Sequence, residues 1–205
     1  AENLGRLPIL GGNDADILAA YDGTIDRLVA DIEVARDHVH LLYYIFGDDA
    51  TSGRVVEALA RAVERGVVCR VLADSLGSRP AFSRLIPRLL EHGILAEETL
   101  RVGFFRRKTG RIDLRNHRKI LVTDGRVGFT GGMNIRQAHL LKDKPRRATQ
   151  DLHFRVEGPV VNHLQEAFVN DWFFSTKEAL EGDRWFPALP SRGTGDESDL
   201  ALVCL

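Results

Sequence analysis

Residue types that suit the chemistry of anions are concentrated in one short stretch of the sequence. His117, Lys119 and Asp124 follow the pattern His-x-Lys-x4-Asp, and Gly131-Gly132 and Asn134 come shortly after them. A neutral imidazole can attack phosphorus, and an ammonium can hold the non-bridging oxygens while negative charge builds in the transition state. The pattern therefore predicts phosphodiester chemistry, with His117 as the reacting group and Lys119 as its catalytic partner.

The spacing within this stretch suggests a role for each remaining residue. His117 and Lys119 are two positions apart, so on a strand both side chains point to one face. Gly131-Gly132 permits close approach of a ligand and offers N–H groups to a phosphate where a helix is predicted to begin. Asn134 would cap that helix or donate to a phosphate oxygen. We predict that Asp124 orients the motif, and a direct catalytic role for it stays open at this point.

The residues before the motif alternate between strand-like and helix-like patterns. An apolar run over residues 39–46 predicts a central strand that is covered on both faces. A helix is expected over residues 53–65 and a second two-sided strand over residues 67–73. An earlier helix is expected over residues 24–37, with Thr24 as its N-cap. This alternation predicts an α/β domain with parallel connections.

The motif itself is predicted to lie on a β-hairpin. Asp124-Gly125 separates two alternating runs, and Asp-Gly between such runs is a strong hairpin signal. A short helix is expected over residues 134–141, a strand over residues 152–156 and an amphipathic helix over residues 160–174. The first strand of the hairpin would position the imidazole and the ammonium of the motif.

Charge is distributed unevenly along the chain. The formal net charge is -1, yet residues 101–147 hold 14 Lys and Arg against three acidic residues, and the rest of the chain holds 14 against 26. Such segregation predicts one face that meets an anion, which could be a phosphate, a nucleic acid or an acidic lipid surface. The composition is typical of a globular domain, and no apolar run is long enough to span a bilayer.

The motif and its surroundings resemble a known family. Residues 116–120 (Asn-His-Arg-Lys-Ile) and 130–135 (Thr-Gly-Gly-Met-Asn-Ile) resemble the first HKD motif of bacterial cardiolipin synthases, which are members of the phospholipase D superfamily. Residues 40–46, 65–74 and 151–161 are similar to the strands and helices that flank this motif in the family. The resemblance covers most of the chain.

The resemblance implies a fold, a reaction and a set of supporting residues. The fold would be a mixed β-sheet flanked by helices on both faces. The reaction would be transfer of a phosphatidyl group on anionic phospholipids of the phosphatidylglycerol type, through a covalent phosphohistidine and without a metal or other cofactor. Arg115, Arg118 and His153 are possible supporting residues. Full-length synthases usually carry membrane helices, so a cytoplasmic or membrane-associated location with peripheral membrane contact is expected.

Most family members contain two such halves, each with one motif, whereas no second His-x-Lys occurs in this sequence. We expect a lead-in over residues 1–12, one catalytic half-domain over residues 13–186, and a linker with the start of a second half over residues 187–205. The partner would be the second half or a second copy of the chain. Two alternatives stay open: a homodimeric single-motif nuclease, for which nucleic acid would be the partner, and an inactive phosphate-binding fragment.

Overall fold

The computed structural model describes residues 11–99, 116–137 and 151–189 of the 205-residue chain. Most of the basic segment, Arg115 and the apolar residues 200–205 therefore lie outside the described residues. Within the described ranges, seven strands and four helices form one α/β unit. In chain order these are β1 (Asp14–Leu18), α1 (Tyr21–Val34), β2 (His38–Tyr43), α2 (Ala50–Glu64), β3 (Val68–Asp74), α3 (Arg79–Glu91), β4 (Leu95–Thr99), β5 (Lys119–Thr123), β6 (Val127–Gly131), β7 (His153–Glu157) and α4 (Val160–Thr176).

The described strands form a single mixed sheet in the order β1-β7-β6-β5-β2-β3-β4. Strands β2, β3 and β4 are parallel, because helices α2 and α3 return the chain to the same edge between them. The other neighbours are antiparallel, and the predicted Asp-Gly turn joins β5 to β6. The predicted hairpin and the predicted mixed sheet are both confirmed.

Helices cover both faces of this sheet, as predicted. One core lies between the sheet and helices α1, α2 and α3. The other core lies between the sheet and α4, and it includes Leu180 and Trp185 from the segment that follows α4. Strand β2 contributes to both cores, since all six of its residues are buried. None of the described helices is long and apolar enough to cross a membrane.

Helix boundaries differ from the sequence-based expectation where side chains decide the first turn. Helix α1 begins at Tyr21, so Thr24 lies inside it and its hydroxyl donates to the Ala20 carbonyl. Helix α2 begins at Ala50, because Asp49 and Ser52 form a reciprocal capping box. Strand β4 was not predicted; it pairs along β3 at the sheet edge.

Two histidines of β2 are buried on the α4 side of the sheet. The ring centroids of His38 and His40 are 4.6 Å apart, and the His40 ring stacks on Phe168 at 4.4 Å. Burial lowers the pKa of both imidazoles, that of His40 strongly. Arg70 lowers the His40 pKa further, while the Asp37 carboxylate bonded to His38 opposes the shift at that ring. Both histidines are therefore neutral near pH 7 in the folded protein.

We predict that the free energy of unfolding decreases as the pH falls below about 6.5, the usual histidine pKa. The unfolded chain binds protons in this range that the buried His40 does not accept, so acid favours unfolding. One such proton changes the free energy by about 1.4 kcal/mol per pH unit. Urea denaturation between about pH 7 and pH 5 should give a shallower dependence for His40→Asn than for the wild type.

The exposed His92 provides the matched control for this measurement. His92→Asn should keep the pH dependence of the wild type, because this side chain is exposed to solvent in the folded protein as it is in the unfolded chain. An unchanged slope in His40→Asn would show that burial of this ring does not control acid stability.

Candidate active site

The candidate site lies where the segment leading into β5 meets the segment leaving β2. Lys119 pairs with Tyr43 in the antiparallel register of these two strands. His117, two residues earlier, therefore reaches Tyr44, which follows β2 directly. This is the end of the sheet at which the parallel strands β2 and β3 have their carboxyl termini, a common location of ligand sites in α/β sheets.

The imidazole of His117 is exposed and lies flat against the half-buried ring of Tyr44. The two ring centroids are 3.9 Å apart and the ring planes differ by 19°. The Tyr44 main chain is itself fixed, since its carbonyl accepts a hydrogen bond of 3.1 Å from the Ser78 hydroxyl. Stacking on a fixed ring restricts the rotation of the imidazole while leaving it open to a ligand.

Lys119 lies on the same side as His117, as the spacing predicted. Its ammonium is 5.5 Å from the centroid of the Tyr44 ring and donates to the His117 carbonyl. The side chain is buried, and this burial lowers the pKa of the ammonium, whereas the nearby Asp151 carboxylate raises it. The structure thus places an imidazole and a partly desolvated cation around one tyrosine ring.

Gly131 and Gly132 allow β7 to begin close to the motif. Gly131 has a φ of 149°, and a Cβ there would be 2.4 Å from the Leu152 carbonyl oxygen. A Cβ at Gly132 would be 2.9 Å from a carboxylate oxygen of Asp151. The Gly132 N–H donates to the Leu152 carbonyl, so it is not available to a phosphate. The expected backbone phosphate cradle is wrong for Gly132, and close chain contact explains the glycine pair.

Asn134 connects the motif to the end of β2 rather than to a helix. Its side-chain oxygen accepts from the Ile45 N–H at 3.0 Å, and Ile135 forms a β-bridge with Phe46. The helix predicted to begin at Asn134 is therefore wrong for residues 134–136, and residues 138–141 lie outside the described residues. The amide nitrogen Nδ2 has no hydrogen-bond partner within the described ranges, which leaves it free to donate to an anion.

Asp124 lies at the opposite end of β5 from His117, roughly 20 Å away along the strand. Its carboxylate accepts from the backbone N–H groups of Arg36, Asp37 and His38 at 2.9, 2.8 and 3.0 Å. These bonds attach the hairpin turn to the start of β2. The position supports the orienting role that the sequence suggested and leaves Asp124 without contact to the reacting group.

The possible supporting residues differ in their surroundings. Arg118 forms an ion pair with Asp171 of α4 at 2.9 Å, and Asn116 donates to the same carboxylate. Both contacts therefore attach the segment before β5 to α4. His153 is buried and its Nε2 lies 3.2 Å from the Tyr43 hydroxyl. Burial and the Lys119 charge lower the His153 pKa to about 4, so it is neutral near pH 7.

Tyr44 and Asp151 are the site residues to which the sequence assigned no role. Tyr44 follows an apolar strand at its carboxyl end, and this position is the signal that could have indicated a site residue. Asp151 directly precedes β7, and only the spatial approach of β7 to the glycine pair brings its carboxylate towards Lys119. No group of three His, Cys, Asp or Glu side chains in the described part of the chain is placed to hold a metal ion.

Comparison with known proteins agrees with this geometry. The family profile described as "Cardiolipin synthase, PLD-like domain" matches residues 28–172. The chain belongs to this family of PLD-like domains. It is 38% identical to cardiolipin synthase A of Pectobacterium atrosepticum and 37% identical to that of Yersinia pestis, over 171 residues in each case. These matches cover 82% of this PLD-like domain chain and 35% of each relative, so the chain spans about a third of their length.

Solved structures share the fold at lower sequence identity. NucT from Helicobacter pylori has a TM-score of 0.61 at 12% identity, with 80% of this chain and 98% of that chain covered. Phosphatidylserine synthase from Haemophilus influenzae has a TM-score of 0.61 at 15% identity, with 83% of this chain and 39% of that chain covered. Nuc from Salmonella typhimurium, a phospholipase D family member, has a TM-score of 0.58 at 17% identity, with 80% of this chain and 96% of that chain covered. These likenesses confirm the predicted fold class of the PLD-like domain.

We predict that Tyr44→Leu releases the His117 ring while Tyr44→Phe retains it, because only an aromatic ring preserves the stack. In NMR spectra, the ring-current shift of the His117 ring protons should be lost in Tyr44→Leu and kept in Tyr44→Phe. Turnover should fall about tenfold or more in the leucine variant alone, since small misplacement of a reacting group is costly. Equal ring-proton shifts in both variants would rule out the stack in solution.

We predict that Asp124→Ala lowers the free energy of unfolding by about 3 kcal/mol, because three backbone donors lose a charged acceptor. Asp124→Asn should lower the free energy of unfolding by less, since asparagine tolerates the positive φ of 54° and keeps one acceptor oxygen. Urea denaturation of both variants measures the difference. Two variants that are as stable as the wild type would contradict a bracing role for this carboxylate.

Proposed function

We propose that this PLD-like domain is the catalytic half of a phosphatidyltransferase that acts on anionic phospholipids, in the manner of a cardiolipin synthase. The observation that carries the proposal is the exposed His117 imidazole, stacked on Tyr44 beside the buried ammonium of Lys119. The identity of 37–38% to cardiolipin synthase A supports a phospholipid, rather than another phosphodiester, as the substrate.

In the proposed reaction, a histidine nitrogen attacks the phosphorus of the donor lipid, an N–P bond forms and the P–O bond to the leaving alcohol breaks. A second histidine gives the leaving oxygen its proton. The acceptor alcohol then transfers its proton to that second histidine and attacks phosphorus, which breaks the N–P bond. His117 is one of the two histidines, and its partner comes from a second half or a second copy of the chain.

Two side chains suit the charge that develops on the phosphoryl oxygens. The Lys119 ammonium is buried, and a cation in such surroundings interacts with an oxyanion more strongly than in water. The amide nitrogen of Asn134, which has no partner among the described residues, can donate a further hydrogen bond. The reaction as proposed uses no cofactor.

We further propose how this half belongs to a larger protein. Residues 13–186 would form the half-domain, and residues 187–205 would lead to the second half. The basic residues between 101 and 147 would contact the anionic head groups of a membrane. The coverage of about a third of each curated relative supports a partner half.

We predict that His117→Ala, made in the protein of natural length, lowers phosphatidyl transfer from short-chain phosphatidylglycerol at least about a hundredfold. The exposed His92 lies outside the site, so His92→Ala should stay within about twofold of the wild type. Product formation followed by mass spectrometry measures both.

Other results would redirect the assignment. Near wild-type transfer in His117→Ala would refute the proposed reaction. Metal-independent DNA cleavage by a purified dimer, without lipid turnover, would favour the nuclease alternative. Binding of phosphate by a monomer without turnover of any phosphodiester would favour a binding module.

A further inference from the structure

A cavity of about 250 Å³ lies beside the candidate site, at the carboxyl ends of β2 and β3. Residues 45–49, which follow Tyr44 directly, line it. The Ser78 hydroxyl on the cavity wall donates to the Tyr44 carbonyl, and a Cβ on Gly77 would be 3.0 Å from the Tyr44 ring. The residues that line the cavity and bear on the argument are Ile45, Phe46, Asp48, Ser78, Arg84 and Arg136.

Among the described residues, the charges around this cavity leave one cation without a counter-ion. Asp48 pairs with Arg84 at 2.8 Å. The neighbouring Asp49 carboxylate caps α2 through the Ser52 N–H and accepts from the Gln137 N–H at 2.7 Å. The guanidinium of Arg136 is exposed and forms no ion pair within the described ranges. The cavity therefore offers an anion one planar donor group that no described carboxylate pairs with.

The main chain of Arg136 is held in place next to the site. The Tyr21 hydroxyl accepts from the Arg136 N–H at 3.0 Å and donates to the Arg136 carbonyl at 2.8 Å. Burial raises the Tyr21 pKa to about 12, so the hydroxyl keeps its proton. Arg136 is two residues beyond Asn134, which limits the distance between their main chains to about 7 Å.

The chemistry of the product calls for a second anion site at about this spacing. Cardiolipin contains two phosphatidyl groups on one glycerol. The acceptor alcohol therefore already carries a phosphodiester, separated by one glycerol from the phosphorus that is attacked. A site that forms this product has to accommodate both negative charges at once.

We propose that Arg136 binds the phosphate of the acceptor alcohol and that the cavity beside it holds the acceptor glycerol. This inference rests on the proposed function. The free hydroxyl of that glycerol attacks the phosphohistidine phosphorus, the N–P bond breaks, and the hydroxyl proton passes to the second histidine. Arg136 thereby selects an anionic acceptor over water or a neutral alcohol.

Competition between acceptors tests the proposal in the protein of natural length. Short-chain phosphatidylglycerol serves as donor and anionic acceptor, and ethanol is added as a neutral acceptor. Three products then arise from one common intermediate: the cardiolipin analogue, phosphatidylethanol and phosphatidic acid. Their ratio depends only on how each acceptor binds to the intermediate and attacks it, because the rate of forming the intermediate affects all three equally.

Arg136→Gln should lower the ratio of cardiolipin analogue to phosphatidylethanol about tenfold or more, since a charge-assisted bond to phosphate is lost. The ratio in Arg136→Lys should lie between those of the wild type and Arg136→Gln, because lysine keeps the charge but lacks the planar guanidinium. Arg36, exposed before β2 at the opposite end of the sheet from the site, is the control, and Arg36→Gln should keep the wild-type ratio.

Two results would overturn the inference while leaving the proposed function intact. One is an unchanged product ratio in Arg136→Gln. The other is an equal decrease of all three products, which would assign Arg136 to donor binding or to the fold. A wild-type protein that forms none of the three products would overturn the inference and the proposed function together.

Discussion

The antiparallel register of β5 against β2 determines where the candidate site can form. Lys119 lies opposite Tyr43, so the residues before β5 meet the residues after β2. A slip of one residue would turn Lys119 to the other face of the sheet. The carboxylate of Asp124 opposes such a slip, since it binds three backbone N–H groups at the far end of the same strand pair. The stack of the reacting imidazole on Tyr44 depends on this alignment.

The glycine pair extends the same alignment to the next strand. Without side chains at Gly131 and Gly132, β7 begins within van der Waals contact of the motif and brings a carboxylate towards Lys119. Burial and this carboxylate act on the ammonium in opposite directions. The site therefore combines a cation that is desolvated enough to interact strongly with an anion and a neighbour that stabilises its charged form.

Local patterns predicted much of this arrangement. The alternating segments gave the α/β order, the Asp-Gly turn gave the hairpin, and the two-residue spacing brought His117 and Lys119 to one side. Contacts between distant segments could not be predicted in this way. The stack on Tyr44 and the bond between Asn134 and Ile45 follow from the strand register. The position of Arg136 depends on Tyr21, which lies more than a hundred residues away in the sequence. Edge strand β4 lacked the apolar character of the central strands.

The segment after α4 carries the last described residues to the hairpin turn between β5 and β6. Trp185 lies against the rings of His38 and His40, and a Cβ at Gly125 would be 2.5 Å from Pro187, so the segment runs to the hairpin turn. Leu189 lies beside Arg126 at that turn. Leu189, the last described residue, is thus about a full strand length from the imidazole. About six extended residues are needed to cover that distance, which sets a minimum tether for any later segment that is to meet His117.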